Sequence, residues 1–130
     1  TMANKTAIQT ILDGDRNVTV LATGVLDTAN LSTTTLIDVS ALVPAATDLV
    51  LEEIEYSISS QLQVVLSWDA TTDNEAACLS GFGEIDYCEF GNLPNPRSAG
   101  WNGDLLIRTE GYASGTQTFM VLVRAKKRFA

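Results

Sequence analysis

Residues 49–69, LVLEEIEYSISSQLQVVLSWD, decide the fold class. In the first half Val50, Ile54, Tyr56 and Ile58 recur mostly at every second position, with Glu53, Glu55, Ser57 and Ser59 between them, which is the period of a half-buried strand. In the second half Leu62, Val64, Leu66 and Trp68 alternate with Gln63, Val65, Ser67 and Asp69, so one face is wholly apolar and the other mixed. The pattern predicts a long β-hairpin that turns at Ser59-Ser60-Gln61 and places Trp68 in the core. An isolated hairpin is at best marginally stable in water, so the flanking segments must supply sheets that cover its apolar face.

Those segments read as short strands separated by turn chemistry. Residues 7–12 form a first strand, closed by Asp13-Gly14-Asp15. A longer strand opens at Arg16, with Val18, Val20 and Ala22 on one side and a bulge or bend expected at Gly24. Residues 33–39 are β-branched and amphipathic; residues 40–43 then suit one helical turn capped by Ser40 and stopped by Pro44. Further strands are expected over 76–79, 84–90, 104–110 and 116–127, the last with Phe119, Val121, Val123 and Ala125 on one side. About eight or nine strands, with no convincing helix and no internal repeat, predict an all-β antiparallel β-sandwich of jelly-roll type, with a small closed β-barrel as the alternative. Both bury Leu66, Trp68, Ile107, Phe119 and Val121.

The 130 residues suffice for a single domain with one proper core. With 45% hydrophobic and 18% charged residues, the polar positions fall largely to Thr, Ser, Asn and Gln. A net charge of −8 argues against sequence-independent nucleic-acid binding, because a duplex would repel most of the surface. Arg124, Lys126, Lys127 and Arg128 hold half of the basic residues, so the C-terminal end is locally basic. No apolar run approaches the ~18 residues of a membrane span, and the N-terminus lacks the order of a signal peptide, so a soluble protein is expected. Thr1 ahead of Met2 reads as a scar or a processing remnant. Cys78 and Cys88 are expected to be reduced small hydrophobes in adjacent strands, with a bridge between them left open.

The chemistry of catalysis is sparse. There is no histidine, which removes the commonest general base, the usual triads and most zinc or iron sites. Gly81-Phe82-Gly83 lies between strands instead of opening a helix, so it does not read as a phosphate loop. Asp69 with Asp73, or Glu84 with Asp86, could pair as glycosidase carboxylates, but an acidic chain places some carboxylates close by chance, and a solvated surface is the preferred reading. Asp69, Asp73 and Glu75 lack the ligand order and central glycine of a calcium loop and read as a polar turn. No enzyme activity, metal or other cofactor is expected.

Surfaces are the remaining candidates. Residues 92–103 form the longest irregular stretch, and Leu93, Pro94, Pro96 and Trp101 are apolar groups that a solvated loop has no reason to display together, so an interface is expected there. The basic end formed by Arg124, Lys126, Lys127 and Arg128 would steer assembly onto an acidic patch or, alternatively, keep an exposed strand edge from pairing. Trp101 and Tyr112, flanked by Asn95, Asn102 and Asp104, support a rival reading as a lectin-like carbohydrate-binding module.

Several stretches resemble a group of small structural proteins of tailed bacteriophages: residues 11–18 (ILDGDRNV), 23–27 (TGVLD), 66–73 (LSWDATTD), 81–87 (GFGEIDY), 90–93 (FGNL) and 103–109 (GDLLIRT) with Gly111. The resemblance runs over nearly the whole chain, and its motifs are glycine turns and strand ends without a catalytic signature. It implies a virion protein assembled in the host cytoplasm, a capsid decoration or cement protein with a β-sandwich fold. Its partners would be the major capsid protein and further copies of itself, with a trimer favoured. A neck or tail position is the alternative within the virion.

Overall fold

The computed structural model describes residues 4–129, apart from the Phe90 side chain, so the reading of Thr1 and Met2 lies outside the described residues. Ten strands follow in order: β1 (Lys5–Asp13), β2 (Asn17–Leu26), β3 (Thr34–Ile37), β4 (Asp48–Ile58), β5 (Gln63–Trp68), β6 (Asn74–Leu79), β7 (Phe82–Asp86), β8 (Leu93–Pro94), β9 (Leu105–Glu110) and β10 (Gln117–Arg128). One sheet has the order β1-β2-β10-β4-β7, with β8 also pairing β4, and the other the order β3-β9-β5-β6. Every pairing is antiparallel. Each sheet interleaves early strands with late ones, the wrapping of a jelly roll. The sheets keep open edges at β1, β7, β3 and β6, so the closed barrel is excluded.

The count exceeds the eight or nine expected because β8 is a two-residue strand inside the long loop, while residues 84–90 give only the end of β7. A 3₁₀ turn over Tyr87–Phe90 follows β7, where the Asp86 carboxylate accepts from the Cys88 amide and Gly91 closes the turn at φ 90°. The earlier single turn, Val39–Ala41, is capped by Asp38 and not by Ser40: the Asp38 carboxylate accepts from the amide of Ser40.

The predicted hairpin is two strands in different sheets. β4 pairs β10, β7 and β8, whereas β5 pairs β6 and β9. The turn lies where it was expected, with the Leu62 amide donating to the Ser59 carbonyl at 3.0 Å, but it carries the chain across the sandwich. Alternation reports which face of a strand is buried and is silent about its neighbour, so a strand–turn–strand pattern fits a hairpin and a sheet-to-sheet crossing equally well.

A second correction lies within β4. Arg124 faces Glu53 and Ala125 faces Leu51, which leaves Glu52 as an extra residue in a bulge. The bulge switches the phase, so Leu49 and Leu51 join Ile54 and Ile58 in the core while Val50 is only half-buried. Gly24, by contrast, makes no bulge. It pairs in register with both Thr6 and Phe119, and an added Cβ would lie 2.2 Å from Cε1 of Phe119, so the missing side chain is the seat of that ring. The bulge of this strand pair is in β1, between Thr10 and Leu12.

The inner faces close over Trp68, Leu66, Ile107, Phe119 and Val121, all buried as expected. Cys78 and Cys88 are free and exposed. They are not in adjacent strands: Cys78 sits on β6 of the smaller sheet, Cys88 in the turn that follows β7 of the larger one. The larger sheet overhangs the smaller, leaving every residue of β1 from Lys5 to Leu12 exposed.

Candidate interaction surface

The basic end divides because strand alternation sends neighbouring side chains to opposite faces. Lys127 points inward and is only 3% exposed; its Nζ donates to Oδ1 of Asp13 at 2.6 Å and to the carbonyl of Pro44 at 2.9 Å. Arg128 donates through Nε to Oδ1 of Asp48 at 2.7 Å. Arg124 and Lys126 are on the outer face, where Nη1 of Arg124 meets Oε1 of Glu53 at 2.7 Å and Lys126 is exposed. Two of the four cations therefore hold the protein's own carboxylates inside the fold.

Asp48 organises the end of the sandwich. It is fully buried, and besides Arg128 it receives Nε of Arg97 at 2.8 Å. Burial pushes its carboxyl upward, but the hydrogen bonds from Arg128 and Arg97 outweigh that and hold it below the usual carboxylate range. Through Arg97 the long loop is tied down. Leu93 and Pro94 pair with Leu51 and Val50; Oδ1 of the buried Asn95 accepts from the Arg97 amide at 2.9 Å. The Arg97 guanidinium then lies 4.8 Å from the centroid of the half-buried Trp101 ring. Of the apolar residues expected at an interface, Pro94 and Pro96 are exposed, while Leu93 and Trp101 are half-buried.

The polar turn after β5 behaves as local chemistry. Asp73 accepts from the Ala70 amide, Asp69 accepts from Nδ2 of Asn102 at 2.8 Å, and Glu75 pairs with Arg108. Tyr112 donates its hydroxyl to the Gly115 carbonyl at 2.7 Å. A concavity of about 430 Å³ lies between β1 and β3 against Val20, Leu36, Ile37 and Leu42. The two carboxylates on its lining already accept hydrogen bonds, Asp13 from Val43 and Lys127, Asp38 from Ser40.

The surface that sequence reasoning missed is the outer face of the larger sheet. Phe82 pairs with Ser57, Ser57 with Met120, Met120 with Thr23 and Thr23 with Ala7, so these five form one row across five strands. Phe82 is 86% exposed and Met120 44%. Beside Phe82, the carboxylates of Glu53, Glu55 and Glu84 offer oxygens within 4.8 Å of one another. The hydrogen bond with Glu55 raises the Glu53 carboxyl, with Arg124 opposing it. Finding this row requires the register of four strand pairs, and the only local signal was an aromatic between two glycines, Gly81-Phe82-Gly83.

No protein-family model, no curated protein and no solved structure matches the chain.

Proposed function

We propose that the chain is a non-enzymatic structural protein of a tailed-phage virion, a decoration or cement protein that stabilises the head by multivalent contacts with the major capsid protein and with copies of itself. The observation that carries this reading is the exposed apolar surface of the larger sheet, with Phe82 and Met120 on its outer face and Ile8, Ile11 and Leu12 on the edge strand β1 that overhangs the smaller sheet. A domain that displays apolar groups outside its own core acts through what it touches. Repetition on a lattice lets many weak contacts sum by effective concentration, and a trimer suits a local threefold axis.

The carbohydrate alternative is less well supported by the loop aromatics: Arg97 lies over the Trp101 ring, and the Tyr112 hydroxyl is engaged by Gly115. Co-sedimentation with empty phage heads lacking the protein tests the proposal, and a sugar titration followed by tryptophan fluorescence tests the rival. Saturable binding to heads with no fluorescence response to host polysaccharide is the expected pair of results. A saturable sugar response without head binding would reverse the choice.

A further inference from the structure

On one side of the sandwich the smaller sheet stops a strand short of the larger. β3 ends the smaller sheet and approaches β2 of the larger one, and among the described residues no strand lies beneath β1, the next strand over. Register sets Thr6, Ile8 and Thr10 of β1 opposite Gly24, Ala22 and Val20, so these three face inward, yet all three are exposed. Beneath them opens the concavity of about 430 Å³, with Thr10 on one wall, Thr35 on the other and Val20, Leu36, Ile37 and Leu42 at its floor. Neighbouring strands stand about 4.8 Å apart, so a strand added to the free edge of β3 advances by the same step that separates β1 from β2. It would lie under β1, cover Ile8 and fill the concavity. The backbone groups to hold it are at hand, because β3 pairs only with β9 and its other edge is open. The charged side chains on the lining are Asp13 and Asp38. Lys127 balances Asp13 from inside the fold, whereas among the described residues no ion pair reaches Asp38.

We infer that the free edge of β3, under the overhang of β1, docks an extended segment of another protein, which adds a fifth strand to the smaller sheet. The segment carries aliphatic side chains at alternate positions, turned toward Ile8 and Val20, and a Lys or Arg beside Asp38. Main-chain hydrogen bonds give such a contact its affinity and the alternate side chains its selectivity. A second copy is the poorer occupant. Asp13 and Asp38 lie at the same end of the concavity, so a copy lapped in by a two-fold along the strands would set its own Asp13 beside Asp38, like charge against like. The inference deepens the proposed function and rests on it only for the source of the segment, a capsid protein. It is measured with a peptide and no head, so its failure leaves head binding to be judged by co-sedimentation.

The test titrates the full chain with the acetylated, amidated peptide Lys-Val-Thr-Val-Thr-Val-Lys, and with the same peptide carrying Glu at both ends, while backbone amide shifts are followed by NMR. The lysine peptide is expected to bind with a dissociation constant on the order of 1 mM or tighter. It should move the amides of Thr35, Leu36, Ile37, Ile8 and Thr10 and leave those of Phe82 and Met120 in place. The glutamate peptide should bind more weakly. Asp38→Asn, which keeps a capping side chain for the turn that follows, should weaken the lysine peptide by up to about five-fold. Ile8→Lys, a change at an exposed position, should abolish binding and melt like wild type; should it melt lower, Thr10→Lys takes its place. Unmoved β3 and β1 amides, equal binding of the two peptides, or an Ile8→Lys chain that binds like wild type would each overturn the inference. So would a wild type that dimerises by itself and loses the dimer on Ile8→Lys, since a second copy would then hold the site.

Discussion

Arg128, near the end of β10, donates to Asp48, at the start of β4, and so closes the end of the strand pair at the centre of the larger sheet. Arg97 reaches the same carboxylate from the long loop. The loop is therefore anchored by a charge that would be costly to bury alone.

Asp48→Asn should destabilise the fold by about 3 kcal/mol, the low end for breaking a buried ion pair, because both arginines keep some contact with water. The pH dependence follows from the lowered carboxyl. Asp48 contributes stability that is fully present above its unfolded value of about 3.9 and is lost as pH falls through its lower folded value. Urea midpoints measured from pH 6 down to pH 2 should fall for wild type below about pH 4, and less steeply for Asp48→Asn. Parallel profiles would mean that the pair contributes nothing to acid stability.

Lys126 and Lys127 are neighbours with opposite fates. Lys127→Gln leaves Asp13 and the Pro44 carbonyl without their buried ammonium and should lower the melting temperature, whereas Lys126→Gln should leave it unchanged. If the basic end steers assembly, Lys126→Gln alone should slow association with heads and flatten its salt dependence. An unchanged rate and salt slope, with more aggregation, would favour the edge-guarding role.

Gly24→Ala should cost about 1 to 3 kcal/mol, since its Cβ would fall inside contact distance of the Phe119 ring. Phe119→Leu in the same chain should recover part of that loss relative to the sum of the single changes, a coupling that a double-mutant cycle reads directly. Strictly additive effects would place the strain elsewhere.

Trp68→Ala should cost about 3 to 5 kcal/mol, enough to unfold much of a domain of ordinary stability. A soluble variant with an unchanged melting temperature would contradict the packing of β5 against the larger sheet.

Trp68 and Phe119 were legible in the sequence because burial of one strand face leaves a period of two, and the all-β class follows from the same signal. Partners were not legible. Residues 49–69 read as a hairpin although β4 and β5 pair with β10 and β9, with partners from 37 residues apart (Trp68 and Leu105) to 80 residues apart (Asp48 and Arg128) along the chain. Glu52 hides in the same way, since a bulge is a mismatch between two strands and one strand alone cannot display it. The basic end looked like a patch because four cations fall within five positions, but alternation turned Lys127 inward and left Lys126 outside. Phe82 shows the converse: an unremarkable residue in a glycine turn acquires meaning only from the row it heads.

The proposed role makes the protein a virion component, and its most direct test is the copy number of the protein in purified phage particles, measured by quantitative mass spectrometry against the major capsid protein. A head-decorating protein must be present in lattice-like number, in fixed proportion to the major capsid protein. A count matching a single ring at the neck or tail, or its absence from the particle, would contradict the account.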